Sequence, residues 1–146
     1  RFGPLGVMIC EDAWHPSVPY LLSLDGAEIL ICLSSSPARG FPAGSRWPVS
    51  AERWRLFGSA HAALFTTPFL YCNRTGFEEG MAFAGGTFAV DAACKSMLAP
   101  RGREEGLFEV GLTPSVTRSQ RAASPLLRDE RPALVAEELR RIRERK

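Results

Sequence analysis

Cys10 is the residue best placed to do chemistry, because of what stands on either side of it. An apolar run, residues 5–9 (LGVMI), leads into it, and two carboxylates, Glu11 and Asp12, follow at once. Such a run reads as a short buried strand, and the abrupt change of polarity puts its C-terminal end at a polar site. A thiolate fixed there can attack a carbonyl or nitrile carbon while backbone N–H groups of the next residues face the developing oxyanion. Taken alone, a cysteine at a strand end is more often a packing residue, so its surroundings must decide. The two histidines offer no better starting point, since His15 precedes Pro16 and His61 falls inside a helical stretch.

The elements around Cys10 follow from periodicity and punctuation. Residues 16–25 carry Val18, Leu21, Leu22 and Leu24 at helical spacing, with Pro16 at the start and Gly26 just past the end. Residues 27–33 (AEILICL) form a second buried strand, and a loop with Ser34, Ser35, Ser36, Pro37 and Gly40 runs to about Val49. Ser50 is the expected N-cap of a long helix reaching about Phe65, with Glu52 in its first turn. Pro68 closes it, and residues 69–72 form a third strand leading into Asn73-Arg74-Thr75-Gly76. Residues 81–91 alternate strand and glycine, with Gly85-Gly86 in a tight approach. Two more short strands are expected at 96–99 and 106–110, around the turn Pro100-Arg101-Gly102. A terminal basic helix over about 133–143 places Leu134, Val135, Leu139 and Ile142 on one face. This order of strands and helices predicts an α/β sandwich.

Several segments, in order, resemble the nitrilase (carbon-nitrogen hydrolase) superfamily. Gly6-Val7-Met8-Ile9-Cys10-Glu11-Asp12-Ala13-Trp14-His15-Pro16 is similar to its nucleophile segment, G-V-x-I-C-x-D with a Pro soon after. Gly26-Ala27-Glu28-Ile29-Leu30 resembles its next strand entry, and Ser34-Ser35 falls where its members place a pocket-lining polar loop. Cys72-Asn73-Arg74-Thr75-Gly76 resembles A-N-R-x-G. Phe83-Ala84-Gly85-Gly86-Thr87 with Asp91 resembles F-x-G-x-S-x-x-x-D, and Gly106-Leu107-Phe108-Glu109-Val110 the closing strand. The wording C-E-D-x-W-x-P is most like the glutamine-amidase domains of NAD synthetases. One departure is Ala62-Ala63-Leu64-Phe65, where the family usually carries R-A-x-E-N in the preceding helix.

The resemblance implies a four-layer α-β-β-α sandwich, of which residues 1–146 are the C-terminal part of a single domain. It implies hydrolysis of a non-peptide carbon–nitrogen bond in a small amide, carbamoyl or nitrile substrate through a thioester on a cysteine, here Cys10. The family's Glu and Lys lie upstream of the nucleophile. Only Cys10 is carried over, and this chain alone is expected to be inactive. Glu11 is expected to lend its backbone N–H to the oxyanion, and Asp12 either to hold Arg74 or to orient Cys10 or the substrate. Trp14 forms a pocket wall or packs in the core, Ser34 and Ser35 face the substrate, and Asn73 and Arg74 give structural support. Phe41, Trp47 and Phe77 are further candidates for shaping the pocket. The family also pairs its sandwiches through the equivalent helices, so a homodimer or higher homo-oligomer is expected, with residues 17–24 and 50–65 at the contact.

Composition narrows the partners. The chain has 146 residues, 45% hydrophobic and 23% charged, with a formal net charge of +2. The basic run Arg140, Arg141, Arg143, Arg145 and Lys146 has no interleaved aromatics to stack on bases, so nucleic acid is not expected. No apolar run approaches the roughly 20 residues that span a bilayer, and no signal-peptide pattern opens the chain. Cys10, Cys32, Cys72 and Cys94 form no C-x-x-C pair or zinc spacing, so neither metal nor cofactor is expected, and free thiols fit a cytoplasmic setting. Cys32, Cys72 and Cys94 are expected to be buried, leaving Cys10 the one reactive thiol. The rival reading is a non-catalytic binding or assembly module of the same fold, held to its partner by an apolar sheet face.

Overall fold

A computed structural model describes residues 3–99, 103 and 105–145. The apolar run before Cys10 is strand β1, Leu5–Ile9, and a 3-10 turn, Cys10–Trp14, follows directly. Helix α1 is Ser17–Leu24, strand β2 Ile29–Ser34, helix α2 Val49–Phe65 and strand β3 Phe69–Asn73. A hairpin of β4, Thr75–Glu78, and β5, Met81–Ala84, comes next, then β6, Phe88–Val90, and β7, Ser96–Leu98. Helices α3, Pro114–Ala123, and α4, Pro132–Arg143, end the described chain. The main sheet runs β1-β2-β3-β6-β7, parallel across its first three strands and antiparallel beyond.

Period-2 alternation gives this sheet two unlike faces. Met8, Leu30, Cys32, Phe69, Tyr71 and Phe88 point into the core under the helices. Leu5, Val7, Ile9 and Leu33 point the other way and are between 48% and 69% exposed. A run of aliphatic side chains on a strand face marks a surface made to pack on another layer. The described residues thus supply one helical layer and one sheet of the expected sandwich.

Helix α2 lies close on the strands because of Gly58. A methyl group at that position would stand 2.5 Å from the Phe88 ring and 2.8 Å from the Phe69 ring. Such a separation is far inside van der Waals contact, so only glycine permits this helix–sheet distance. Trp54, four residues earlier on the same face, is 2% exposed and stacks on Tyr71 at 4.6 Å between centroids. Gly58 and Trp54 set the height of α2 over the strands, and the N-terminal turn of α2 reaches the pocket described below.

Four details differ from expectation. The N-cap of α2 is Pro48, and Ser50 instead uses its hydroxyl to accept the Arg39 N–H at 3.0 Å. Residues 106–110 form no strand, since no described neighbour is paired with them. The hairpin strand β4 and helix α3 stand where no element was expected. Helix α3 is held by Arg121, whose guanidinium donates to the Thr66 and Ala27 carbonyls and to Thr67 Oγ1. The expected turn at Pro100-Arg101-Gly102, and Lys146 of the basic run, lie outside the described residues. No helix among the described residues is long and apolar enough to cross a membrane.

Candidate active site

The strand end places Cys10, and the turn after it aims it. Cys10 has φ 46°, in the left-handed region that non-glycine residues enter at a cost of roughly 1–2 kcal/mol. Strain of that kind persists only where neighbours over-determine it, and it is concentrated at functional sites. Two contacts impose it here. Asp12 Oδ2 accepts the Ile9 N–H at 2.9 Å, closing the start of the 3-10 turn. His61 Nε2 lies 2.8 Å from the Ala13 carbonyl and, as the donor, ties the turn to α2. His61 is 6% exposed, so its role in this structure is to brace the turn.

The sulfur itself is half-buried and meets the end of β2. Ser34 Oγ donates to Cys10 Sγ at 3.3 Å, and Cys32 Sγ donates to the Cys10 carbonyl at 3.8 Å. Burial pushes the Cys32 thiol up to about 12, and the nearby Cys10 adds to the shift. Tyr71 lies beneath, its phenol also pushed up, first by burial.

Asn73, at the end of β3, is paired in register with Ser34 and organises the loops around the sulfur. Its Oδ1 accepts the Ser36 N–H at 2.9 Å, and its Nδ2 donates to the Gly85 carbonyl at 2.8 Å. Its own N–H donates to Thr87 Oγ1 at 3.2 Å. Gly85 and Gly86 have φ of 63° and 77°, which lets the chain turn back to meet this side chain. Asn73 therefore joins the loop after β2 to the hairpin return.

A cavity of about 730 Å³ opens beside Cys10. Cys10, Glu11, Trp14 and His15 form one side, and Ser36, Pro37, Arg39 and Gly40 another. The start of α2, with Val49, Ser50, Arg53 and Trp54, completes it. Trp14 serves both roles weighed for it, since it lines the cavity and meets Phe57 edge-on at 4.6 Å. His15 Nε2 stands 3.6 Å from Glu11 Oε1.

The expected residues sort as follows. Cys10, Glu11 and Trp14 line the cavity, while Ser34 bonds the sulfur from behind. Ser35 is exposed and outside the cavity wall, where Ser36 takes its place. Asp12 does not hold Arg74, because the Ile9 N–H is the nearer partner. Arg74 pairs with Glu78 and lies over the Phe83 ring at 4.8 Å. That pairing holds Glu78 below the usual carboxylate range. Phe41, Trp47 and Phe77 do not line the cavity. Phe77 is 86% exposed on the hairpin, and Trp47 instead stacks under Arg55 at 4.6 Å. Ser36, Arg39 and Arg53 were not anticipated. The polar loop 34–36 pointed to Ser36, but no local pattern marks either arginine. Among the described residues, no group of three or more His, Cys, Asp or Glu side chains is placed to hold a metal ion.

Of the four thiols, Cys32 is buried while Cys72 and Cys94 are exposed, so the expectation that all three are covered holds only for Cys32. Cys72 points to the bare sheet face by strand alternation, which sequence apolarity does not distinguish from the core. Iodoacetamide at pH 8 is therefore expected to label Cys32 last. With its thiol raised to about 12, only about one molecule in ten thousand is thiolate at that pH. Peptide mass spectrometry over time reads the order, and early labelling of Cys32 in the folded protein would contradict the burial.

This fold has known counterparts. Residues 1–122 match the family model for carbon-nitrogen hydrolase, and the chain belongs to that family. It is 37% identical over 93 residues to a glutamine-dependent NAD(+) synthetase of Rhodobacter capsulatus, covering 62% of this chain and 15% of that protein. It is 26% identical over 142 residues to an N-carbamoylputrescine amidase of Arabidopsis thaliana, covering 92% of this chain and 46% of that one. The crystal structure of a carbon-nitrogen hydrolase from Helicobacter pylori G27 superposes with a TM-score of 0.82 at 27% identity, over 94% of this chain and 49% of its own. The chain thus spans less than half the length of these curated relatives. Its architecture is part of a nitrilase-type α-β-β-α sandwich.

Proposed function

We propose that Cys10 is the nucleophile of an enzyme that hydrolyses small amides, carbamoyl compounds or nitriles. The observation that carries this reading is the setting of Cys10: a strained strand-end residue, hydrogen-bonded at sulfur by Ser34, at the mouth of a 730 Å³ cavity. For an amide, the thiolate attacks the carbonyl carbon and a C–S bond forms. The C–N bond then breaks, and the amine leaves with a proton. Water attacks the thioester, releasing the acid and restoring the thiol. The Glu11 N–H, at the open start of the 3-10 turn, serves the oxyanion on this reading, and the Ser34 hydroxyl donates to the Cys10 sulfur. A free nucleophilic thiol is kept reduced in a cytoplasm.

A proton-transfer base and an oxyanion cation come, on this reading, from outside these 146 residues. Asp12 is engaged with the Ile9 N–H, Glu11 faces His15, and no lysine among the described residues lines the cavity. Ammonia release from small aliphatic amides is expected from the whole polypeptide. The 146 residues alone should be at least about a hundredfold slower, since losing one oxyanion donor costs that much. Equal rates would contradict the division of the site. An assembly module of the same fold would give no turnover in either form.

The reading extends to a two-fold pair through α1 and α2. Leu21, Leu56 and Leu64 are 58% to 65% exposed on these helices, whereas Trp54 is consumed by the core. A stable interface there should bury more than about 1,000 Å². Light scattering of the whole polypeptide at micromolar concentration is expected to give a dimer or larger species. A dimer that persists unchanged when Leu21 and Leu56 are both replaced by Lys would refute this contact, as would a monomer in the wild type.

A further inference from the structure

Helix α2 turns a stripe of Trp54, Gly58, His61, Ala62 and Phe65 into the core, and His61 is the one titratable side chain in it. The imidazole stacks on Phe65 at 5.9 Å between centroids and tilts against Phe69 at 5.8 Å. Its single polar contact is Nε2 to the Ala13 carbonyl at 2.8 Å. A carbonyl only accepts, so Nε2 carries the proton, and Nδ1 is left buried with no partner among the described residues. Leucine would fill this place without stranding a nitrogen. Burying an imidazole for one bond costs more than packing alone requires, so the reason for it lies in what the bond holds.

What it holds is the turn that carries Cys10. Ala13 is the fourth residue of the 3-10 turn Cys10–Trp14, is 1% exposed, and lies 48 positions from His61 in the chain. The bonds of Asp12 to the Ile9 N–H and of His15 N–H to the Asp12 carbonyl are local and fix only the shape of the turn. Its place against α2 is set by the His61 bond and by Trp14, which meets Trp54 edge-on at 5.6 Å. Apolar rings can slide on one another, whereas a hydrogen bond fixes distance and direction. That placement matters because the cavity has one wall on each element. The turn supplies Cys10, Glu11 and Trp14, and α2 supplies Val49, Ser50, Arg53 and Trp54.

We propose that His61 is a positioning residue for the reaction at Cys10. Its Nε2–H, acting through the Ala13 carbonyl, fixes the turn from which the thiolate attacks. The proposal rests on the amide-hydrolase reading above and adds to it a residue that does not line the cavity. His61 touches neither the substrate nor the sulfur, and it moves no proton in the reaction. The requirement is geometric: one donor, at the ε position of the ring.

The test measures turnover of propionamide by the whole polypeptide and by His61→Leu, His61→Asn and His61→Gln. The glutamine amide N–H reaches about where Nε2–H stood, the asparagine amide stops at the Nδ1 position, and leucine has no donor. kcat is expected to fall about tenfold to a hundredfold in the leucine and asparagine variants, with KM within about twofold, and to stay within about threefold of wild type in glutamine. A residue needed only for packing would give the opposite order, leucine nearest to wild type and glutamine worst, and that order overturns the proposal. If the leucine variant does not fold, asparagine against glutamine decides, and equal rates in that pair overturn the proposal. Hydrogen exchange of the peptide spanning residues 9–15 reads the turn without turnover. It should be about tenfold faster in asparagine than in wild type and unchanged in glutamine. A turn loosened in this way with kcat intact also overturns the proposal. If the wild type hydrolyses no amide while the exchange pattern holds, the hydrolase reading falls and the bond from His61 to the turn stands.

Discussion

Replacing Cys10 by alanine in the whole protein should lower amide turnover by about ten-thousand-fold or more, because removing a covalent nucleophile leaves only binding and oxyanion stabilisation. The fold should survive the change. The thiol is half-buried, its bond from Ser34 is a weak sulfur contact, and the Cys32 thiol donates to the Cys10 carbonyl, which alanine keeps. A glycine at the same position removes the thiol as well, but it also relieves the left-handed backbone at φ 46°. The glycine variant is therefore expected to be equally inactive yet more stable than the alanine variant, by about 1 kcal/mol. Initial rates together with denaturant melts of both variants separate the two effects. An alanine variant that keeps more than a few per cent of the rate would exclude Cys10 as the nucleophile.

Asn73→Ala should have the largest effect on stability of any single change at the site, about 2–3 kcal/mol. It removes the acceptor of the Ser36 N–H and the donor to the Gly85 carbonyl. Each lost bond contributes about 1 kcal/mol, and part-buried groups left without partners add to that. Asn73→Asp restores the acceptor but sets a carboxylate against the Gly85 carbonyl, so it should not rescue. Because Ser36 lines the cavity, kcat/KM is expected to fall alongside stability through loss of positioning. Urea melts at fixed pH give the measurement. A loss under about 0.5 kcal/mol would mean that the loops around Cys10 are held by something other than Asn73.

These two residues were legible in the sequence for different reasons. Cys10 was visible because apolar character stops abruptly beside it, and strand β1 with its polar end stands where that pattern placed it. Asn73 was visible through the Asn-Arg-x-Gly segment, not through any property of an isolated asparagine. What no pattern revealed is the backbone at Cys10, since only glycine advertises a positive φ and the strain here falls on a cysteine. The partner of Asp12 was misjudged for a related reason. A local bond to Ile9, three residues away, competes with any bond to Arg74, and local geometry won.

The missed and misplaced elements have equally physical causes. Helix α3 buries no residue and carries Val116 as its one large apolar side chain, so periodicity could not announce it; Arg121 fastens it to loop carbonyls instead. Strand β4 begins Thr75-Gly76-Phe77-Glu78 and is half-exposed, so the alternation that marks a strand is nearly absent. Residues 106–110 have strand-like composition, but a strand exists only with a neighbour to pair, and none of the described residues provides one. Arg39 and Arg53 are far from Cys10 in the chain and meet it only because the loop after β2 is strapped to the start of α2.

The most direct test of the central claim is to catch the thioester. The whole protein, mixed with a small amide substrate and quenched in acid within its first turnovers, should carry the acyl group on the peptide that contains Cys10. Intact and peptide mass spectrometry should find the mass of the substrate acyl group there, removable by hydroxylamine, and absent from Cys10→Ala. An acyl group on a different residue, or turnover that persists in the alanine variant, would contradict the account.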